Sequence, residues 1–298
     1  MSVDLVAEFG KQRLVGGLGR KDAAGEENDR PGKYARHAMK LAGMGRAVKL
    51  CGLVESLGAC RLPPLDSGLT FGLRMAASPR AFVLRHTQLR PVPGLEEVRL
   101  HLTDDVLRLW HAVQVETDDP DGALPYWAIA WAGGLAIGRY LREHPEVVAG
   151  RRVFDLAAGS GLCAIAALHA GAAEATGADI DPFAAAAIVL NARANGRRVS
   201  VERRDVLDEV PPEVDVILAG DCWYDARLAI RVLPWLQRAQ DRGIDVLVGD
   251  PGRRDLPTDD LVELASYEVS TTTELEDLEH RQGMVYTLRP RSSADRDT

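Results

Sequence analysis

From residue 152 onward the hydrophobic positions fall in short runs separated by longer stretches rich in Ala, Leu and Arg. Five runs read as buried strands: 152–156, 175–180, 199–203, 214–219 and 245–249. The stretches 162–170, 182–195 and 226–241 carry the helical pattern. D-P-F at 181–183 gives the second helix an Asp cap and a Pro in its first turn, Gly196 ends it, and Pro234 predicts a kink in the third. Such alternation implies a parallel sheet with helices on both faces. The end of the chain differs. Residues 261–265 read as helical, whereas 267–273 and 284–289 read as two β-runs. Joined by the acidic loop 274–282, the two runs predict an antiparallel pair that closes the sheet, followed by a polar tail.

Upstream the signals are weaker. Ser78 and Pro79 open a short helix, 95–102 alternates like a strand, and 103–113 reads as a helix capped by Thr103 or Asp104. After the acidic turn 118–121, P-Y-W-A-I-A-W-A-G-G (125–134) leads into the helical L-A-I-G-R-Y-L. Trp127 and Trp131, four apart, share a helical face, which suits either core or the wall of a pocket. Composition shifts near residue 75. All five lysines lie in the first 49 residues, and residues 1–74 hold 12 basic and 8 acidic side chains against 24 and 36 in the remainder. This part has a polar run at 21–33 and only weak helical patterns at 35–41 and 48–57. It reads as a poorly structured extension or basic arm, with Met75 a second candidate start. The expected division is an extension (1–74), a helical and β cap (75–150), a cofactor-binding catalytic domain (151–290) and a tail (291–298).

A net charge of −8 on 298 residues argues against a general nucleic-acid binder and suits a basic partner. Cys51, Cys60, Cys163 and Cys222 lack metal-ligand spacing, and Cys163 and Cys222 lie in apolar runs. Reduced thiols of a cytoplasmic protein, with no metal site, are the expectation. No stretch has the length of a membrane span.

The chemistry centres on V-F-D-L-A-A-G-S-G, 153–161: a hydrophobic run ending in an acid, then small residues leading into a helix. Such a strand–turn–helix brings backbone close to a ligand and offers helix N–H groups. Asp179 follows Gly161 by 18 residues, where a carboxylate accepts hydrogen bonds from both hydroxyls of a ribose. Turn and acid together point to an adenosine cofactor. G-S-G-L-C-A also satisfies the dinucleotide pattern, so an NAD-binding oxidoreductase remains a distant alternative. Against it stand Asp155, which would face a pyrophosphate, Asp205, placed to suit an adenine amino group, and the terminal β-pair.

With these features the chain resembles the class I, seven-β-strand, S-adenosylmethionine-dependent methyltransferases. P-Y-W-A-I-A-W-A-G-G, D-L-A-A-G-S-G, A-D-I-D-P-F, A-G-D-C-W-Y and V-G-D-P-G-R narrow the resemblance to the lysine methyltransferases of the electron transfer flavoprotein β subunit. It spans residues 78–289, departs from the usual G-x-G-x-G turn at Ala157, and leaves 1–74 outside. The resemblance implies a Rossmann-like α/β fold and S-adenosylmethionine as cofactor. Asp155, Ala157, Gly159 and Gly161 would surround its methionine part. Asp179 would take the ribose, Ile180 the adenine face and Asp205 the adenine edge, with Trp131 and Gly133 lining the pocket. Asp221 and Tyr224 would face the methyl acceptor, Asp221 capturing the ammonium and Tyr224 aligning the nitrogen. Trp223 reads as packing, Arg253 as a brace for its loop and Asp181 as a helix cap. The same cofactor residues would serve a ribosomal-protein methyltransferase or one for a small, nicotinamide-type amine.

Overall fold

The computed structural model describes residues 78–270 and 280–290. The expectations for residues 1–74 and for the tail therefore lie outside the described residues. The chain divides into two units, one of residues 77–110 and 124–298 and the other of 1–76 and 111–123. Of the latter, the described part is the end of a helix and an acidic turn, where the Gln114 amide donates to the Pro120 carbonyl at 2.6 Å.

The main unit opens with α1 (Pro79–His86), whose Ser78 cap accepts a hydrogen bond from the Ala81 N–H as its sequence predicts. A hairpin follows, β1 (Gln88–Val92) and β2 (Leu95–Leu102). Strand β1 was not legible in sequence, because Pro91 interrupts it; the ribbon tolerates that proline where the register shifts between Pro91 and Val92. Then come α2 (Val106–Thr117), a 3-10 turn (Tyr126–Ala128) and α3 (Ala132–Glu143).

Among the described residues seven strands form one sheet in the order β5-β4-β3-β6-β7-β9-β8. Its strands are β3 (Arg152–Leu156), β4 (Glu174–Ala178), β5 (Ser200–Glu202), β6 (Val216–Gly220), β7 (Asp245–Asp250), β8 (Leu261–Ser270) and β9 (His280–Leu288). Strands β3 to β7 are parallel, while β9 runs antiparallel to both β7 and β8. Helices α4 (Leu162–His169), α5 (Pro182–Ala194) and α6 (Ala226–Asp241) connect them, and α6 runs through Pro234 as one helix. One expectation is corrected: residues 261–265 are the first half of β8, not a helix. Five apolar-rich residues are too few for periodicity to separate the two, and a register shift between Glu263 and Ala265 breaks the strand alternation.

Alternate strand residues feed two cores, as a sheet covered on both faces requires. Val153, Val216, Leu218 and Leu247 pack with α3, α4 and α5, against Leu135, Ile137, Ile165 and Ile188. Phe154, Ile217, Ala219, Val246 and Val248 pack with α6, against Val232, Trp235 and Leu236. Burying a ring such as Phe154 or Trp235, with centroids 6.1 Å apart, contributes about 2 to 3 kcal/mol. Strand order reverses at β3, between β4 and β6. The crevice beyond the carboxyl ends of β3 and β6 is where open α/β sheets take ligands.

Candidate active site

Every acid singled out in the sequence lies at, or just past, the carboxyl end of a parallel strand. Asp155, near the end of β3, is buried, and its carboxylate accepts the Ala164 N–H in the first turn of α4 at 3.0 Å. Burial pushes its pKa up to about 8, against the pull of that N–H, and nearby Asp179 pushes the same way. Asp179, past β4, accepts the Gly159 N–H at 2.9 Å with one oxygen and the Asp181 N–H at 2.9 Å with the other. Burial raises its pKa also. Asp181 caps α5 through the Phe183 N–H at 2.7 Å, the structural part read for it in sequence. Ile180 between them is 69% exposed, an apolar platform at the strand end.

The turn joining β3 to α4 needs left-handed backbone three times. Gly159 and Gly161 take φ of 51° and 78°, and Ala157 takes 52°. A Cβ at such φ costs about 1 kcal/mol, so Ala157 is the strained member of the turn. The Ser160 carbonyl is held from below by the Asn191 side-chain amide at 2.8 Å. Asn191 is fully buried on α5, and its oxygen accepts the His101 N–H of β2 at 2.7 Å. Asn195, one turn on, bonds both backbone groups of Arg99. The two amides thus tie the hairpin to the turn. Sequence reading missed them, since nothing local marks a helix asparagine as a bridge to a residue 31 positions away.

The second half of the site lies past β6 and β7. Asp221 is buried with φ of 58°, a left-handed backbone that strains any residue but glycine. One carboxylate oxygen accepts the Gly134 N–H in the first turn of α3 at 2.8 Å. The other accepts from the Arg253 guanidinium at 2.6 Å, and the same nitrogen reaches Asp250 at 3.1 Å. Burial opposes the Arg253 charge, but Asp221 and Asp250 more than restore it and hold its pKa above the usual value. Arg253, read as a brace, is the counterion of both acids. The start of α3 reaches Asp221 only because glycines let it. A Cβ on Gly133 would lie 2.1 Å from the Gly249 carbonyl oxygen of β7 and 2.7 Å from the Asp221 carboxylate. The structure therefore packs Gly133 against sheet backbone. Trp131, at the N-cap position of α3, donates its indole N–H to the Tyr126 carbonyl at 2.9 Å. Tyr224 is 49% exposed with its pKa raised by burial and then by Tyr126, whereas Trp223 is core. Asp205 stands apart from the others. Its carboxylate pairs with Arg231 of α6 at 2.8 Å, which lowers its pKa, and accepts the Leu207 N–H at 3.0 Å.

This donor set discriminates between cofactors. A pyrophosphate needs free N–H groups at the turn and no anion facing it. Here Asp155 already holds an α4 N–H and Asp179 the Gly159 N–H. Two carboxylates around the turn, with an exposed isoleucine beside one, fit a ligand with a cationic amino acid end, a ribose and an apolar base. S-adenosylmethionine fits that description.

The family described as Ribosomal protein L11 methyltransferase (PrmA) matches residues 140–220. The electron transfer flavoprotein beta subunit lysine methyltransferase of Xenopus laevis is 35% identical over 221 residues, 72% of this chain and 89% of the relative. The chain belongs to this methyltransferase family. The mouse member is 37% identical over 193 residues, covering 64% of this chain and 74% of the relative. Of solved structures, the ribosomal protein L11 methylase of Lactobacillus delbrueckii subsp. bulgaricus is 19% identical, with 52% of this chain and 77% of that one covered at a TM-score of 0.39. In this methyltransferase no helix among the described residues is long and apolar enough to cross a membrane.

Proposed function

We propose that the protein is an S-adenosylmethionine-dependent protein-lysine N-methyltransferase acting on the β subunit of electron transfer flavoprotein. The observation that carries this reading is the pairing of two ends in one crevice. An acid-lined glycine turn occupies the end of β3, and a buried Asp221–Arg253–Asp250 cluster with half-exposed aromatics occupies the ends of β6 and β7. In this reading Asp155, Ala157, Gly159 and Gly161 hold the methionine part, Asp179 the ribose and Ile180 the adenine face. Asp205 keeps the adenine edge only if it shares its carboxylate with Arg231. Trp131 borders the pocket, and Gly133 serves it by admitting α3 to the sheet.

The cofactor supplies a methyl group on a positively charged sulfur, already activated for transfer to nitrogen. What the chain must do is position the acceptor. A lysine has to lose a proton first, since its free pKa is about 10.4. Burial in the crevice favours that loss and a bare carboxylate would oppose it. Pairing with Arg253 cancels much of the Asp221 charge, so Asp221 orients the nitrogen through its remaining lone pairs at little cost to deprotonation. Tyr224 stands beside it as the aligning group.

The reading places the protein in the cytoplasm, supported by two buried free thiols, Cys163 and Cys222, both with pKa values pushed up by burial. It treats 75–150 as a cap on the catalytic domain 151–290, a boundary that limited proteolysis would locate. The decisive assay incubates the protein with labelled S-adenosylmethionine and the purified β subunit, then maps label by peptide mass spectrometry. Label on a β-subunit lysine supports the reading; label only on small molecules overturns it. The match at 140–220 favours one other substrate, ribosomal protein L11, which the same assay tests directly.

A further inference from the structure

Aromatic rings from two separate loops wall the acceptor end of the site. Tyr126 in the 3-10 turn and Tyr224 past β6 have ring centroids 4.9 Å apart, with planes inclined at 44°. The Trp131 ring lies 5.8 Å from Tyr126 as well, and its indole N–H pins the Tyr126 carbonyl. The wall is not core, for Tyr224 is half exposed and Tyr126 half-buried. It stands next to the cofactor turn: a Cβ on Gly159 would be 3.7 Å from the Cα of Trp127, the neighbour of Tyr126. Charged groups flank it, among them Asp225, the cap of α6. Tyr126 feels Asp225 and Arg253, and Tyr224 feels Asp179 and Asp225.

We propose that Tyr126 and Tyr224 form the face on which the acceptor nitrogen rests, and that Tyr126 sets how many methyl groups it receives; this rests on the protein-lysine reading. An unmethylated ammonium has three N–H donors and is best held by oxygen. Each transfer replaces an N–H by N–CH3, and the proton goes to water before the nitrogen lone pair can act again. Successive forms of the acceptor therefore offer fewer donors and more apolar, positively charged surface. Asp221 serves those forms poorly, because its remaining lone pairs need an N–H to accept and its charge is shared with Arg253. Aromatic faces serve them better, since the ring quadrupole attracts a methylated ammonium without needing a donor. Tyr126 is the middle ring of three, so its loss splits the wall.

The test compares the full-length protein with Tyr126→Phe and Tyr126→Ala, each incubated with cofactor and the β subunit, counting methyl groups per lysine over time. Tyr126→Ala is expected to slow the later transfers about ten-fold more than it slows the first, the mid-range between an exposed and a desolvated cation–π contact. Tyr126→Phe, which keeps the ring, is expected to restore the wild-type ratio of later to first transfers. A cofactor-free readout is NMR titration with acetylated trimethyl-lysine amide and with its unmethylated parent. Wild type should prefer the methylated probe, and Tyr126→Ala should lose about ten-fold of that preference. Where Tyr126→Ala does not fold, Tyr126→Leu carries the same expectation. A wild type that stops at one methyl group overturns the proposal, as does a product ladder unchanged in Tyr126→Ala. Failure of wild type to methylate any protein lysine is a separate result, which removes the lysine reading and the proposal with it.

Discussion

Replacing Asp155 by Asn should change how stability depends on pH, and the size of the change follows from one buried carboxyl. Asp155 is 2% exposed, with its pKa raised to about 8. In the unfolded chain it titrates near 3.9. Between those values the folded protein keeps a proton that the unfolded chain has released, so stability falls as pH rises, by about 1.4 kcal/mol per pH unit. From pH 5 to 7.5 that is about 3 kcal/mol, or about 6–12 °C in melting temperature for a domain of this size. Asn keeps an oxygen for the Ala164 N–H and has no proton to lose. The melting temperature of Asp155→Asn should therefore fall less across this range, and the difference between the two curves isolates Asp155 from Asp181, which titrates nearby at about 6. Saturating S-adenosylmethionine should flatten the wild-type curve, because a cationic ligand beside the carboxyl favours its ionised form. Binding at pH 7 should then release a proton, seen by calorimetry as a heat that varies with the buffer. Parallel melting curves for wild type and Asp155→Asn from pH 5 to 8 would refute the reasoning.

Three further substitutions probe the supports of the site. Gly133→Ala puts a Cβ 2.1 Å from the Gly249 carbonyl oxygen, where contacts under 3.0 Å do not occur, so α3 must retreat and release Asp221. Urea denaturation should show a loss of about 3 kcal/mol or more; Gly150→Ala, with open space but φ of 71°, should lose only about 1 kcal/mol. Arg253→Met leaves two buried carboxylates without a counterion and should cost about 3 to 5 kcal/mol, part of which Asp250→Asn in the same chain should recover. Asn191→Leu removes the bonds to the Ser160 carbonyl and the His101 N–H. Beyond its cost in stability, it should raise KM for the cofactor more than it lowers kcat.

The parts of this site that sequence made legible are those whose chemistry is local. A glycine turn, an acid at the next strand end and a D-P helix start each announce themselves within a few residues, and the parallel strands follow from alternation alone. What stayed hidden depends on partners far along the chain. Gly133 was assigned to the pocket, yet its contact is Gly249, and no spacing rule joins two glycines on different elements. Arg253 looked like a loop residue until Asp221 and Asp250 converged on one nitrogen. Tyr126 sat unremarked beside two tryptophans that suited core or pocket wall alike, and only its approach to Tyr224 brings it into view. The first half of β8 was taken for a helix because its bulge spoils the alternation by which strands are recognised.

The site uses the same residue type three times for the same physical reason. Asp155, Asp179 and Asp221 each accept a backbone N–H from a neighbouring segment: Ala164 of α4, Gly159 of the turn and Gly134 of α3. A carboxylate has about four lone-pair sites, so each can fix a loop end and still present charge or acceptor capacity to a ligand. Architecture and binding are therefore separable by substitution. Asn retains one acceptor oxygen and loses the charge; Ala loses both and leaves a buried N–H unsatisfied, at about 1 to 3 kcal/mol. At Asp155, which holds a single backbone N–H, the Asn variant should melt no lower than wild type at pH 6 and the Ala variant below it; at Asp179 and Asp221, whose second oxygens hold the Asp181 N–H and Arg253, Asn should cost part of what Ala costs. The functional losses should differ by position. Asp179→Asn should weaken cofactor affinity measured by calorimetry, whereas Asp221→Asn should bind cofactor normally and lose lysine methylation. Equal loss of cofactor binding and methylation in Asp221→Asn would place that carboxylate in the cofactor site and not at the acceptor.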